Sequence, residues 1–338
     1  MHEIVEIHEP VGGPRDDVVR RRIGIVLPVF DDWESLRQLL REVLAAYVEQ
    51  YAIHLCIVDD GSTEVVLPSD LLSLFDSADV IHLGTNLGHQ RAICVGLVRI
   101  SHVHDLEAVV VMDSDGEDSV SAVPDLVTPV LSGRSDVVVA QRTSRSEGLR
   151  FRVFYKFYKM LFRLLTGERL DFGNFSAISP RALQHLVHSP DLWNHYPCAV
   201  MKSRLPLVKM PVPRQERYFG CSKMDVTSLT THGLSGLSVF VDRIFSRLLM
   251  LTGLVGLVLL SAVVAGVVVR VALQVPIAGW LALGTTAAFI ALIQLVGTLA
   301  VLAFVSLSMR SRFSPPPVEF AKLYIERSNK FVKRDKHV

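Results

Sequence analysis

A short apolar run that stops abruptly on a cluster of carboxylates constrains this chain more than any other feature. Ala108-Val109-Val110-Val111-Met112 is too brief for a helix and rich in β-branched residues, so it reads as a buried strand. Asp113, Asp115, Glu117 and Asp118 then follow within six residues. Ionised carboxylates do not persist unpaired in a core, so the cluster belongs at the strand's carboxyl end, facing solvent or a cation. In open α/β sheets that edge is where ligands bind. Two aspartates separated by one residue can share a hard divalent ion, which prefers oxygen ligands and often keeps phosphate oxygens in its shell. Taken alone, the pattern fits a solvated acidic turn as well as a metal site.

The rest of the first half repeats the theme. Ile23–Phe30 is a continuous apolar run of strand length, with Pro28 marking where the ladder ends. Asp31-Asp32 then cap a helix predicted from about Glu34 to Gln50, with Leu36, Leu39, Leu40, Val43 and Leu44 on one face. Ile53–Val58 is a second buried strand, ending in Asp59-Asp60-Gly61-Ser62. A helix from Pro68 to Phe75, a weak strand at Val80–Leu83, a loop through Asn86, and a helix from Gln90 to Arg99 precede the acidic strand. A helix from about Ser119 to Leu131 and a strand at Asp136–Ala140 follow it. Near-continuous apolar strands alternating with helices predict an α/β fold with a mostly parallel sheet covered on both faces. Asp59-Asp60, Asp113-Asp115 and Arg142 then fall on one sheet edge, a nucleotide-type site.

Arg150 to Leu165 is an amphipathic helix expected to cover the sheet, and another helix is expected from Pro180 to His188. The periodicity between Pro190 and Pro213 supports no assignment. His89, His195 and His232 lack ligand-like spacing and read as structural or surface residues, and Trp193 and Tyr196 as packing. Four scattered cysteines read as reduced thiols.

Hydrophobic residues make up 50% of the 338-residue chain, and the excess lies after Leu248. Residues 248–269 carry no charge and can cross a hydrocarbon core of ~30 Å as a helix; after a short turn containing Pro276, residues 280–309 are again free of charge. Two spans so closely linked make an antiparallel hairpin. Arg243 and Arg247 before it and the basic 310–338 tail after it place the globular domain in the cytoplasm by the positive-inside rule. Residues 1–20 read as a flexible leader, 21–230 as the α/β domain and 231–247 as an interfacial amphipathic helix. A formal net charge of +1 gives no case for a nucleic-acid partner. The sequence neither requires nor excludes a homo-oligomer.

Ile25–Phe30, Val58–Ser62, Asn86-Leu87-Gly88, Met112–Asp115 and Gly220–Met224, in this order, resemble a family 2 glycosyltransferase of the GT-A type. More narrowly, the chain resembles the dolichol/polyprenyl-phosphate sugar synthases with a C-terminal transmembrane hairpin. The resemblance implies a GT-A, Rossmann-like domain that binds a nucleotide-diphosphate sugar and transfers the sugar, with inversion, to a polyprenyl phosphate. It assigns Pro28, Phe30 and Asp59 to the base and ribose pocket, with Asp60, Asn86, Ser114 and Glu117 near the donor. Asp113 and Asp115 would bind Mg²⁺ or Mn²⁺ at the diphosphate, with Asp115 and Arg142 at the reacting sugar. Arg217, Ser222 and Lys223 would grip the acceptor phosphate.

One departure stands out. The family commonly carries Asp-Phe-Arg after the glycine that is Gly173, and this chain has Asn174-Phe175-Ser176. An amide accepts no proton at neutral pH, so a base at that position is lost, and Asp171 is the nearby candidate to replace it. Two readings survive: an active enzyme whose ionised acceptor needs no strong base, or a degenerate transferase that binds a nucleotide sugar as a scaffold. A processive polysaccharide synthase is the weaker enzymatic rival, because its Gln-x-x-Arg-Trp segment is absent.

Overall fold

The computed structural model describes residues 20–142, 149–220, 226–274, 279–311 and 314–333. Its strands are β1 (Arg21–Val29), β2 (Tyr51–Asp59), β3 (Ser77–Leu83), β4 (Ala108–Val111), β5 (Val137–Arg142), β6 (Ser176–Ile178), β7 (Leu207–Val212) and β8 (Ile325–Val332). They form an eight-stranded sheet in the order β7-β5-β6-β4-β1-β2-β3-β8. β1 runs parallel to β2 and β4, as β2 does to β3 and β5 to β7. β6 is antiparallel to both of its neighbours, and β8 is antiparallel to β3. The helices are α1 (Trp33–Tyr47), α2 (Ser69–Leu72), α3 (His89–Ile100), α4 (Val123–Leu131), α5 (Leu149–Thr166), α6 (Pro180–Val187), α7 (Tyr196–Ser203), α8 (Val226–Ser238), α9 (Val241–Leu273), α10 (Gly279–Ser311) and α11 (Pro317–Phe320).

The all-apolar strands are explained by burial on both faces. Ile23, Ile25 and Leu27 of β1 pack in one layer with Leu36, Leu40 and Val43 of α1 and Leu126 and Val127 of α4. Val26 of β1 and Val58 of β2 face the other way, into Ile93 and Leu97 of α3 and Leu183 and Leu186 of α6. Each fully buried aliphatic side chain is worth roughly 1.5–3 kcal/mol, so register is strongly set by both layers at once. Helix α3 lies unusually close to the sheet because Gly96 has no side chain. A Cβ there would stand 2.5 Å from Cγ1 of Val26 and 3.0 Å from Cγ2 of Val58. That close approach brings the first turn of α3 to the carboxyl edge of β2.

Several elements depart from the sequence reading. β6 has no counterpart in the sequence reading, because its three residues are too few to show a period. Helix α7 and strand β7 occupy the stretch left unassigned. The 310–338 segment, expected as a tail, instead supplies β8, which completes the sheet edge with Ala78 opposite Phe331 and Ile81 opposite Ser328. Its charged residues obscured it, and such residues suit an edge strand. Trp193 helps hold this return, with ring centroids 4.9 Å from Phe320 and 5.1 Å from Tyr324.

The expected interfacial helix over 231–247 is not one element. It breaks at Val239-Phe240, both 1% exposed, which insert into a small core with Phe162 and Cys198. α9 then runs 33 residues, about 50 Å at 1.5 Å per residue, longer than a membrane's hydrocarbon core. Its first turns dock on the domain: Arg247 Nη1 donates to the Leu164 carbonyl at 2.7 Å and Arg243 pairs with Glu168. Val241–Ala272 and Ala282–Val305 are long and apolar enough to cross a membrane, and their most apolar windows have no buried residue. The two helices pack together, with Gly256 facing Leu292. Because β7 precedes the hairpin and β8 follows it in one sheet, both hairpin ends emerge on the same side.

Gly96→Ala is expected to destabilise the domain by about 1–3 kcal/mol through overpacking against stiff valines. Thermal unfolding of the detergent-solubilised protein measures this, and an unchanged melting temperature would contradict the close approach.

Candidate active site

The site begins where β4 stops short of β1. Their ladder ends at Val26 opposite Val111, and the Met112 N–H donates to the Val26 carbonyl at 3.2 Å. Pro28, two residues on, has no N–H with which to continue that ladder. Its carbonyl is satisfied by the Ser114 hydroxyl at 2.8 Å. Ser114, 6% exposed, therefore anchors the acidic turn to β1. Phe30 lies just beyond, 40% exposed at the rim.

The turn itself is tightly closed. The Asp113 N–H donates to Asp118 at 2.9 Å, and the Glu117 N–H donates to Asp115 Oδ1 at 3.0 Å. Burial, followed by repulsion from the Asp113 carboxylate, pushes the Asp115 carboxyl up to about 6; the Glu117 N–H and the Arg217 guanidinium oppose the rise. The pair thus concentrates negative charge that a cation would relieve. Among the described residues no three His, Cys, Asp or Glu side chains converge as a closed metal cage. An open pair of carboxylates nevertheless fits Mg²⁺ or Mn²⁺, whose remaining positions are commonly filled by water and substrate phosphate.

A basic loop after β7 lies across these carboxylates. The Gln215 and Tyr218 N–H groups donate to the Glu117 and Asp115 carbonyls, each at 3.0 Å. Arg214 pairs with Glu117, and Arg217 bridges Asp115 at 3.3 Å and Asp32 at 3.0 Å. The Tyr218 hydroxyl donates to Glu42 at 2.7 Å, and its ring covers Gly116. Gly116 has φ +86°, and a Cβ there would lie 2.4 Å from that ring, so only glycine fits. Arg217 is thereby placed on Asp115 of the acidic pair. Ser222 and Lys223 lie outside the described residues, as does the Arg142 side chain; the Arg142 backbone ends β5 opposite Val212.

At the β2 edge, Asp59 is only 2% exposed; one oxygen accepts from the Ser62 N–H at 3.0 Å and the other meets His82 Nδ1 at 2.8 Å. Here it anchors the turn from within rather than lining an open pocket. Asp60 accepts from the Leu87 and Gly88 N–H groups at 2.7 and 2.9 Å, tying β2 to the loop before α3. Asn86 closes that same loop by accepting from the Gly88 N–H at 3.1 Å.

The α3 loop delivers residues that sequence reasoning missed. His89 Nε2 lies 3.0 Å from Asp113 Oδ1, and Asn174 Nδ2 lies 2.9 Å from the same ring nitrogen. Desolvation pulls the His89 pKa down, but the Asp113 carboxylate, supported by Asp115 and Asp60, raises it overall. No spacing rule reveals this contact, because His89 and Asp113 meet only through the sheet. Asp171, the candidate replacement base, is engaged by Lys209 Nζ at 2.8 Å and by the Gln141 amide at 3.0 Å. The His195 and His232 rings pack at 4.6 Å between centroids, tilted by 48°, and Tyr196 is buried, as structural residues would be. Cys56, Cys94 and Cys198 are free and buried.

Residues 24–187 match the family model described as glycosyl transferase family 2. This stretch is a family 2 glycosyltransferase domain. The protein is a glycosyltransferase with a GT-A fold and two C-terminal apolar helices. Among its relatives is the undecaprenyl-phosphate 4-deoxy-4-formamido-L-arabinose transferase of Sodalis glossinidius (strain morsitans), 28% identical over 240 residues, covering 66% of this chain and 72% of that protein. The uncharacterized glycosyltransferase YkoT of Bacillus subtilis (strain 168) is 26% identical over 296 residues, covering 81% of this chain and 84% of that one. A crystal structure of glucosyl-3-phosphoglycerate synthase from Mycobacterium tuberculosis with Mn²⁺, UDP-glucose and phosphoglyceric acid superposes with a TM-score of 0.49 at 17% identity, covering 66% of this chain and 80% of that one.

Burial raises the Asp60 carboxyl from its ordinary 3.8 to about 6, against the two backbone N–H groups that lower it. The folded state therefore binds this proton more tightly, and the resulting stabilisation is lost as pH rises from about 4 through about 6. Asp60→Asn should make the fall of stability with pH shallower across that window in chemical unfolding. An unchanged slope would contradict the assignment.

Proposed function

We propose that this glycosyltransferase moves a sugar, with inversion, from a nucleotide-diphosphate sugar to a polyprenyl phosphate at the cytoplasmic face of the inner membrane. The observation that carries the proposal is the crowded Asp113–Asp115 pair under the Arg217 loop, in a domain tied directly to a membrane-length hairpin. The names of the undecaprenyl-phosphate relatives support the choice of acceptor. Arg243 and Arg247 on one flank, with Lys322, Lys330 and Lys333 on the other, support the cytoplasmic orientation.

Asp113 and Asp115 would hold Mg²⁺ or Mn²⁺, which when bound neutralises the charge of the leaving nucleoside diphosphate. Phe30 at the rim offers an apolar face to the base. Arg217 has two carboxylate partners in this state and can exchange one for a phosphate, stabilising charge as it develops. A phosphate acceptor arrives already ionised, so the lack of a carboxylate at Asn174 need not stop transfer. Asn174 and the lysine-paired Asp171 also favour one second reading, a nucleotide-sugar-binding scaffold.

Purified protein incubated with radiolabelled nucleotide sugars and undecaprenyl phosphate tests the proposal. Lipid-linked sugar is expected, together with a loss of roughly 10²–10³ in rate for Asp115→Ala, the scale for removing an electrostatic stabiliser. Tight donor binding without product across a broad donor panel would select the scaffold reading instead.

A further inference from the structure

We infer that Asn174 acts as a hydrogen-bond donor to an anionic phosphate oxygen in the active site, and that Gln90 is the positioning residue that orients it. The inference rests on the transferase reading above and adds a role to a position that reading leaves unexplained. An amide side chain has a donor end and an acceptor end of nearly the same shape, so its orientation must be deduced from its partners. Here the deduction starts from a group that can only donate. The backbone N–H of Tyr196 donates to the Gln90 amide oxygen at 2.8 Å. The Gln90 NH₂ group is therefore at the other end of its amide, where it donates to Asn174 Oδ1 at 2.9 Å. That leaves Asn174 Nδ2 turned toward the acidic pocket, 3.4 Å from Asp113 Oδ1; it donates to His89 Nε2, 2.9 Å away, only in the tautomer that carries its proton on Nδ1.

The backbone at this position is fixed from the same source. The Ser176 hydroxyl donates to the Asn174 carbonyl at 2.8 Å and is itself 2.7 Å from the Tyr196 hydroxyl. Tyr196 thus sets the side chain through its N–H and the backbone through its hydroxyl, while Gln90 is 7% exposed and held by helix α3. Buried polar chains are costly unless every member is paired, and a paired chain is rigid. The contact to Asp113 is long for a hydrogen bond, so an anionic oxygen entering the pocket can compete for that hydrogen. A carboxylate at the same place would instead add a further negative charge beside Asp113 and Asp115. The donor's diphosphate and the lipid's phosphate offer the same oxygen chemistry.

Isothermal titration of the full-length protein in detergent tests the inference, with UDP and GDP in the presence of Mg²⁺ and, separately, with undecaprenyl phosphate. Asn174→Asp removes the donor. Gln90→Glu leaves an oxygen for the Tyr196 N–H but presents a second oxygen to Asn174, forcing that amide to turn its own oxygen into the pocket. Both variants should weaken one ligand by about tenfold or more, the scale of a hydrogen bond to a charged group. In an Asn174→Ala background Gln90→Glu should add no further loss, and melting temperatures identify any general folding defect. Weaker nucleotide binding assigns the contact to the donor, and weaker lipid binding assigns it to the acceptor. Unchanged or tighter binding of both ligands by Asn174→Asp would overturn the inference, as would a full Gln90→Glu loss in the alanine background. Wild-type protein that binds both ligands yet forms no lipid-linked sugar would refute transfer while leaving this contrast readable.

Discussion

Two carboxylates forced together at the end of one short strand govern the organisation of this domain. Asp113 and Asp115 sit where β4 has stopped and β1 continues, and burial with mutual repulsion holds the Asp115 carboxyl near 6. Much of the surrounding structure answers that charge. His89 arrives from α3, Arg217 from the loop after β7, and the Asn174 amide from the loop before β6. α3 directly precedes β4, but the Arg217 loop and the Asn174 loop lie far from it in sequence, so the site exists only when the whole sheet has formed. The crowding is stability given up locally, as expected where a ligand is to supply the missing positive charge.

The membrane hairpin is joined to this arrangement rather than appended to it. Phe240 turns the chain from α8 into α9 while buried against Phe162, with ring centroids 5.8 Å apart, and Arg247 caps the carboxyl end of α5. After the hairpin, β8 pairs with β3, so the sheet closes over an insertion of two long helices. This topology ties the sheet that carries the strand-end site to the apolar helices on both sides of the hairpin, a constraint that suits the lipid acceptor proposed above.

Much of the framework was legible in the sequence, for definite reasons. β1, β2, β4 and β5 are buried on both faces and so read as unbroken apolar runs, and the carboxylates and Pro28 mark their ends. β6 was too short, and β8 too charged, to carry a period. The site divided along similar lines. Asp113 and Asp115 could be found because a strand end concentrates them, whereas Asp59 looked equivalent and is turned inward onto His82. Gln90 gave no signal, and Arg214 and Tyr218 gave little, since their roles arise from contacts made across distant parts of the chain. The Arg-x-x-Arg-Tyr spacing just after β7 was the one visible hint.

The central claim is that the Asp113–Asp115 pair carries a divalent ion against a nucleoside diphosphate. Phosphorus magnetic resonance of UDP or GDP with the purified protein and trace Mn²⁺ tests it most directly. The account predicts strong paramagnetic broadening of the β-phosphorus resonance beyond that of Mn²⁺ and nucleotide alone, abolished in Asp115→Ala. Broadening that is absent in the wild type, or undiminished in the variant, would contradict it.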